Sequence, residues 1–332
     1  MTASGIYLDW NADAPVSDAA WDAYAEASQY FGNPSSLHKP GREAAKVLQD
    51  ARERVAAAFG MPAESVIFTS GGTEADALAL TGSLSSVEEG SVLVADIEHP
   101  AILKNLEVLC ERKGLSLVRV PVNPDGVVCP EQVESLMRED TVLLSVMMAS
   151  NETGVIQPIA ELAALCRSRG IVMHTDAVQA VGRMPVAMPE IGVHMMTVSG
   201  HKFGALSGTG ALIVEPGLSL EPFLTGGGQE NGMRGGTENV AGAACMAAAL
   251  EDLPSAEALK DWAQTRTRFE EAILERCPDV QILGLAKNRL ANTSCVQFKG
   301  CPGDAILMAL DLEGIFVSTG SACSSGSVLP SP

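Results

Sequence analysis

Basic residues are scarce in this sequence. Of its 332 residues, 22 are Lys or Arg and 41 are Asp or Glu, which gives a formal net charge of −19 at pH 7. This excess of negative charge disfavours binding to nucleic acid or to anionic membrane surfaces. It is compatible with a soluble enzyme or with a basic protein partner.

Long apolar runs, signal-peptide patterns, internal repeats and low-complexity tracts are also missing from the sequence. No apolar segment approaches the roughly 20 residues that a membrane-spanning helix needs. The eight cysteines have no regular spacing. We therefore expect free thiols in a reducing compartment and a cytoplasmic protein.

The order of apolar runs predicts the fold class. Runs at 91–95, 141–148, 170–174, 193–198 and 210–214 alternate with helix-like segments, which is the pattern of an α/β fold with a mostly parallel sheet. Further along, strand-like 293–298 and 314–317 enclose a helix from Asp304 to Leu312, after a charged helix from Ser255 to Arg276. We predict a large α/β domain at 15–250 and a small α+β domain formed by 1–14 and 251–332.

One lysine lies where a strand gives way to a glycine-rich loop. Ser199-Gly200-His201-Lys202 separates the apolar run 195–198 from the glycine-rich stretch 203–210. A lysine held beside apolar residues has a lowered pKa and acts as a nucleophile toward carbonyls. The alternative is an ordinary surface lysine in a turn.

An acid ends another apolar run. Asp176 follows Ile171–Thr175, as a ligand-binding residue at the carboxyl end of a buried parallel strand would. Opposite a pyridine nitrogen, such a carboxylate would keep the ring protonated and make it an electron sink. Asp176 could also cap a helix beginning at Ala177, and both interpretations can hold.

A third segment breaks a strand at two glycines and then starts a helix. Gly71, Gly72 and Thr73 follow the apolar run 66–68, and a helix that starts there would offer backbone N–H groups and its dipole to a phosphate. The segment is neither a Walker loop nor a G-x-G-x-x-G fingerprint, which argues against nucleoside triphosphates and dinucleotides.

Cys323 differs from the other cysteines. It lies among small residues in 318–327, where an accessible thiol could act as a nucleophile or carry sulfur; the alternative is an incidental loop cysteine. Cys110, Cys166, Cys245 and Cys295 lie in helix-like or strand-like patterns and are predicted to be small buried hydrophobes.

A metal site is a rival interpretation. His174, Asp176, His194 and His201 could be drawn as ligands, but their spacing matches no strong zinc pattern. A buried histidine with satisfied hydrogen bonds explains His174 at least as well, and we predict no metal.

Ordered motifs along the whole chain carry a family resemblance. They are Tyr7-Leu8-Asp9, 31–36, 69–76, Glu98-His99, 151–154, 176–179, 199–202, 226–230, 233–237 and 320–323. With these motifs the sequence resembles the cysteine desulfurases, pyridoxal phosphate enzymes of the class V aminotransferase group. The resemblance implies a pyridoxal phosphate transferase type I fold, a homodimer, L-cysteine as substrate and a sulfur-acceptor protein such as an iron–sulfur scaffold.

The resemblance also implies a role for each matching residue. Lys202 would bond covalently to the cofactor aldehyde, Asp176 would pair with the pyridine nitrogen, and His99 would stack on the ring and move protons. Cys323 would accept the sulfur. The other implied contacts are cofactor contacts by Gly72, Thr73, Asn151, Gln179, Ser199, Gly200, His201 and, from a second subunit, Thr237, and substrate contacts by Asn33 and Asn151.

The implied reaction removes sulfur from L-cysteine, giving L-alanine and a persulfide on Cys323 for iron–sulfur cluster or thio-cofactor biosynthesis. We expect the small domain, which ends here at Pro332, to be incomplete relative to the family and to lack its C-terminal arginine for the substrate carboxylate. Two alternatives stay open. One is an inactive paralogue that binds cofactor or dimerises as a partner module, and the other is a selenocysteine lyase or aminotransferase of the same fold.

Overall fold

The computed structural model describes residues 5–320 of the chain, so the predicted sulfur acceptor Cys323 lies outside the described residues. The strands are β1 Ile6–Tyr7, β2 Val66–Thr69, β3 Ser91–Ala95, β4 Ser116–Val120, β5 Thr141–Ser145, β6 Val172–Asp176, β7 Met195–Ser199, β8 Gly210–Val214, β9 Val280–Leu283, β10 Cys295–Phe298 and β11 Ile315–Phe316. The α-helices are α1 Asp18–Ala27, α2 Lys39–Ala58, α3 Gly72–Leu84, α4 Pro100–Lys113, α5 Pro130–Leu136, α6 Ile159–Ser168, α7 Met188–Ile191, α8 Val240–Glu251, α9 Ala256–Arg276 and α10 Gly303–Leu312.

A seven-stranded sheet with the order β2-β8-β7-β6-β5-β3-β4 forms the centre of the molecule. β8 runs antiparallel to both of its neighbours, whereas every other neighbouring pair is parallel. The prediction of an α/β fold with a mostly parallel sheet is therefore confirmed. The antiparallel strand is β8, at the predicted run 210–214.

The sheet is buried on both faces. In β3, Val92 and Val94 belong to the apolar cluster under α3 and α4, while Leu93 and Ala95 belong to the cluster that includes α2, α6 and α8. Alternate side chains of a strand point to opposite faces, so both faces must be covered by helices when all of them are apolar. This arrangement explains why the sequence shows continuous apolar runs.

The strands are displaced slightly from the apolar runs that predicted them. The run 141–148 forms a strand only to Ser145, while β6 continues beyond the run 170–174 to Asp176. The backbone after Ser145 still bonds to its neighbour, because the N–H of Met148 donates to the carbonyl of Asp176 at 2.8 Å. The apolar character therefore extends past the regular ladder into the loop beside the sheet.

Two smaller pairings lie outside this sheet. β1 pairs in parallel with β11, and β9 pairs antiparallel with β10. The predicted domain boundaries would group these strands with α9 and α10, and that grouping stays a prediction. Among residues 5–320, no helix combines the length and apolar character needed to cross a membrane.

Candidate active site

The carboxyl ends of the parallel strands meet at one edge of the sheet, and polar residues follow them there. In an open α/β sheet this edge is where ligands bind. Most of the predicted site residues lie at or just after these ends: Gly72 and Thr73 after β2, His99 after β3, Asn151 after β5, Asp176 and Gln179 at β6, and Ser199, Gly200, His201 and Lys202 at β7.

Lys202 is buried, with a 5% exposed surface. It ends a 3-10 turn that begins at Gly200, directly after β7. Its Nζ donates to the backbone carbonyls of Asn11 at 2.7 Å and Ala12 at 2.6 Å. The alternative of an ordinary surface lysine is wrong, and the amine lies where its nucleophilicity can be used.

Asp176 is also buried, and burial raises its carboxyl pKa to about 6. The backbone N–H of Val178, which donates to Oδ1 at 2.8 Å, and the charge of Lys202 act in the opposite direction. The alternative role as a helix cap is wrong, since the next α-helix, α7, begins only at Met188. Asp176 closes a local turn instead.

The N-terminus of α3 forms an anion-binding geometry. No side chain caps this helix, whose N-cap residue is Gly71. A Cβ placed on Gly72 would lie 3.8 Å from Ser199 Oγ, and a Cβ on Gly210 would lie only 2.6 Å from Gly71 Cα. Glycine at 210 therefore lets β8 approach the turn, and the Ser199 hydroxyl lies beside the helix start, where backbone N–H groups favour a phosphate.

Glu74 in the first turn of α3 is neutralised by a partner from a distant loop. It accepts a hydrogen bond from the N–H of Ser70 at 2.9 Å and pairs with Arg234 at 2.7 Å. Although burial acts to raise it, hydrogen bonds from Arg234 and Ser70 lower the pKa of this carboxyl. The ion pair joins α3 to the loop that carries Thr237.

His99 caps α4 through its ring. Its Nδ1 accepts a hydrogen bond from the N–H of Ala101 at 3.1 Å. Burial, and then the charge of Lys202, lower the imidazole pKa. The ring is therefore neutral near pH 7, and because Nδ1 is an acceptor its proton lies on Nε2.

Two residues that the sequence analysis did not single out support this site. The Arg183 guanidinium donates to Gln179 Oε1 at 2.5 Å and to the carbonyls of Trp10 at 2.7 Å and Lys202 at 3.2 Å. Its burial lowers its pKa to about 10. Its position four residues after Gln179 on an otherwise apolar stretch was the available signal.

Asn11 is the second missed residue. Its backbone carbonyl accepts from Lys202 Nζ and from Gln179 Nε2, the latter at 2.9 Å. Its side-chain Nδ2 donates to the carbonyl of Asn151 at 3.1 Å and to Thr293 Oγ1 at 3.1 Å. The segment next to the Tyr7-Leu8-Asp9 motif thus forms one wall of the site.

The four candidate metal ligands do not assemble. His174 Nδ1 and Nε2 each lie 3.0 Å from a hydroxyl, of Ser145 and Thr197, and its burial lowers its pKa to about 3. His201 pairs with Asp13 at 2.9 Å, whereas His194 accepts from a backbone N–H. Within residues 5–320, no group of three or more His, Cys, Asp or Glu could hold a metal ion.

The remaining predicted residues lie at the surface. Asn33 and Thr237 are exposed, and their predicted contacts stay predictions.

Among the cysteines predicted to be buried, Cys110, Cys166 and Cys245 are buried, but Cys295 is only half-buried. The correction at Cys295 has a simple reason, since within residues 5–320 β10 pairs with β9 alone and their two-stranded sheet lies outside the central one.

The three chemical features at this edge fit pyridoxal phosphate. A buried amine can bond to its aldehyde, a buried carboxyl can face its ring nitrogen, and an uncapped helix start can bind its phosphate. Lys202 and Asp176 lie at the ends of the neighbouring strands β7 and β6, and Gly72 follows β2, which only β8 separates from β7.

Comparison with known proteins agrees with this chemistry. The aminotransferase class-V family model matches residues 6–330. A cysteine desulfurase IscS from Dictyoglomus turgidum is 40% identical over 331 residues, which cover 98% of this chain and 84% of that relative. An IscS-like cysteine desulfurase from Mycobacterium tuberculosis is 38% identical, with 98% of this chain and 85% of that relative covered.

Solved structures give the same result. A NifS-like protein superposes with a TM-score of 0.89 at 33% identity, covering 96% of this chain and 88% of that one. A structure described as SspA in complex with cysteine has a TM-score of 0.87 at 30% identity, covering 98% of this chain and 92% of that one. The chain belongs to the class V aminotransferase family of pyridoxal phosphate enzymes, and its relatives from Dictyoglomus turgidum and Mycobacterium tuberculosis are named cysteine desulfurases.

Proposed function

We propose that this chain is a pyridoxal phosphate-dependent cysteine desulfurase that converts L-cysteine to L-alanine and leaves the sulfur as a persulfide on Cys323. The observation that carries the proposal is the buried Lys202 amine beside Asp176 and the uncapped start of α3. Similarity to cysteine desulfurases, at 40% and 38% identity over nearly the whole chain, supports the choice of substrate.

Each wall of the site would hold one part of the cofactor. Lys202 would bond to the aldehyde, Asp176 would face the ring nitrogen, and the N–H groups at Gly72 and Thr73 with the Ser199 hydroxyl would bind the phosphate. Bound there, the cofactor would supply an electron sink for charge that develops at the substrate α-carbon. The protein supplies position, charge and proton transfer.

Charge at the site is set by burial and by short contacts. With a pKa of about 6, Asp176 is mostly ionised at neutral pH, as a partner for a protonated ring nitrogen must be. Arg183 donates to the backbone carbonyl of Lys202, and Gln179 donates to the carbonyl of Asn11. The Lys202 amine donates to that same carbonyl of Asn11, so the amine has a defined direction. His201, held by Asp13 at 2.9 Å, would contribute to phosphate binding from the same turn.

His99 would act as the proton carrier. Its ring is neutral because burial and the Lys202 charge lower its pKa, and its Nε2 is the atom left to exchange a proton with substrate. Cys323 would take the sulfur as its thiolate, forming an S–S bond as the substrate C–S bond breaks. A reductant would then release sulfide, or an acceptor protein would take the persulfide sulfur.

A homodimer would complete the site. Thr237 is exposed, and its neighbour Glu238 lines a cavity of about 390 Å³ together with Ser35 and Gly227. The neighbouring segment presents Phe31, which is 88% exposed, and Leu37, which is 89% exposed. A second copy covering these apolar side chains would bring Thr237 toward the partner's phosphate site.

The protein that accepts the sulfur would be basic, since its positive charge would complement the net charge of −19 on this chain. Both proteins would lie in the cytoplasm.

The first experiment is the visible absorption spectrum of the purified chain incubated with pyridoxal phosphate. We expect a protein-bound cofactor band that L-cysteine perturbs and that Lys202→Ala abolishes. Lys260→Ala, on the exposed side of α9, is the matched control and should keep the band. A chain that binds no cofactor under these conditions would remove the enzyme proposal, and a band indifferent to cysteine would remove this substrate.

The second experiment assigns the sulfur acceptor. Cys323→Ala should retain the cofactor band but lose sulfide release from cysteine and reductant, because no thiol takes the sulfur. Cys301→Ala removes an exposed thiol elsewhere and should release sulfide at the original rate. Sulfide release by Cys323→Ala equal to that of the unsubstituted chain would show that another group accepts the sulfur.

A further inference from the structure

Three carboxyl groups are buried together at the cofactor side of the sheet. Asp76 on α3 is 1% exposed, Glu98 after β3 is 4% exposed, and Asp176 at the end of β6 is 7% exposed. They interact electrostatically, because the charge of Asp176 adds to the effect of burial in raising the pKa of both other groups well above the usual range. The proposed mechanism uses Asp176 alone.

Asp76 and Glu98 each present an oxygen without a hydrogen-bond partner among residues 5–320. The two atoms are Asp76 Oδ1 and Glu98 Oε2. The nearest basic group to the first is His174 Nε2 at 3.7 Å, and Glu98 Oε1 accepts from the N–H of Met147. A bare oxygen on a buried carboxylate is costly, whereas a proton on that oxygen removes the charge.

Little positive charge faces these groups. His174, on the strand beneath Asp76, is neutral because its pKa falls to about 3, and the pKa of His99 is lowered as well. Thr197 on β7 contributes a hydrogen bond to Asp76 but no charge. The ammonium of Lys202 acts on Asp176. One cation among three buried acids favours a single negative charge in the cluster.

Asp176 is the group best suited to keep that charge. It accepts the N–H of Val178 at 2.8 Å and interacts with Lys202, and both effects favour its ionised form. We propose that Asp76 and Glu98 are positioning residues for Asp176: both carry protons, and their neutrality confines the buried negative charge to Asp176, where the cofactor ring nitrogen would lie.

The importance of this charge rests on the proposed function, whereas the protonation states belong to the chain itself. If Asp76 or Glu98 were ionised, repulsion would drive a proton onto Asp176. A neutral Asp176 could not keep a ring nitrogen protonated, and the electron sink would be lost.

Infrared difference spectroscopy at neutral pH tests the proposal. The purified full chain, incubated with pyridoxal phosphate, is compared with Asp76→Asn, Glu98→Gln and Asp176→Asn. We expect Asp76→Asn and Glu98→Gln each to lose the C=O stretch of a protonated carboxylic acid, and Asp176→Asn to lose carboxylate stretches. Loss of carboxylate stretches in Asp76→Asn or Glu98→Gln would overturn the proposal.

A second measurement avoids substitution in case a variant does not fold. In the unsubstituted chain, 13C labelling of the Glu side-chain carboxyls should shift one protonated-acid band, and labelling of the Asp carboxyls should shift another. If neither labelling shifted a band in the protonated-acid region, neither Asp76 nor Glu98 would carry a proton. Because these spectra can also be recorded without cofactor, they distinguish failure of this inference from failure of cofactor binding.

Discussion

At the scale of single residues, burial decides which side chains are charged. His174 is an example, because its ring is fully buried between two hydroxyls and its pKa is lowered to about 3. The pKa of Arg183 is lowered to about 10 by the same cause, yet its guanidinium stays charged at neutral pH and donates to four oxygen atoms, on Gln179, Trp10 and Lys202. Burial therefore keeps His174 neutral at neutral pH but leaves Arg183 charged.

His174 should make stability fall in weak acid. Between its ordinary pKa of 6.5 and about 3, the unfolded chain binds a proton that the folded chain does not. The stability that neutral His174 contributes is therefore present above pH 6.5 and is lost as pH falls toward 3, at about 1.4 kcal/mol per pH unit. The measurement is the free energy of unfolding in denaturant as a function of pH.

Comparison with His174→Asn isolates this contribution from those of other groups. The raised pKa values of Asp76 and Glu98 act with the opposite sign, since the stability that these protonated carboxyls contribute to the protein is lost as pH rises through their folded pKa. The difference between the unsubstituted chain and His174→Asn should therefore slope with pH below 6.5. A difference that does not vary with pH below 6.5 would contradict the prediction.

At the scale of elements, the start of α3 depends on glycine in a neighbouring strand. A side chain at 210 would meet the backbone of Gly71 at 2.6 Å, so β8 and the turn before α3 must approach without one. We expect Gly210→Ala to displace the helix start and to weaken pyridoxal phosphate binding by roughly 10-fold or more, the equivalent of one lost phosphate hydrogen bond. Equilibrium titration of the cofactor measures this change.

Gly114→Ala is the control for that experiment. A Cβ at 114 meets nothing within 4 Å, but the residue has a φ of +69° at the end of α4. The substitution should cost about 1 kcal/mol of stability and leave cofactor affinity unchanged. If Gly210→Ala affected only stability, as Gly114→Ala does, the close approach would have no part in phosphate binding.

Elements were predictable from sequence where their signals are local. The junction from β2 to α3 and the ends of β6 and β7 follow from apolar runs broken by glycine or by a polar residue. Asn11 was missed because its contacts join residues up to 282 positions apart, and no local pattern encodes such pairs. Arg183 had a local signal in its spacing from Gln179, but its contact with Trp10, 173 positions away, had none. Asp76 had a usable signal, since it lies between alanines in a helix that is apolar on all sides.

At the scale of the whole molecule, the exposed apolar segment at Phe31 and Leu37 should be covered by a second copy. We expect the chain to sediment at about twice its 34.6 kDa mass. The double variant Phe31→Asp with Leu37→Asp should sediment as a monomer and bind the cofactor more weakly, because Thr237 would no longer be supplied by a partner.

Leu312→Asp provides the matched control. Leu312 is 87% exposed on α10, so it tests apolar exposure away from the Thr237 loop. This variant should keep the mass of the unsubstituted chain. An unsubstituted chain that sediments as a monomer would contradict the dimer. A double variant that binds the cofactor as tightly as the unsubstituted chain would contradict the role of Thr237.

The pairing of β1 with β11 affects the order in which the protein can be completed. Ile6 pairs with Ile315, and a few residues beyond β1 the carbonyls of Asn11 and Ala12 receive the Lys202 amine. The segment that contains β1 therefore gains its strand partner only after the chain has been synthesised as far as β11, and such distant pairings form slowly. The lysine pocket is consequently completed only after β11 has been synthesised, so a nascent chain stalled before β11 should present this lysine to solvent rather than to its final acceptors.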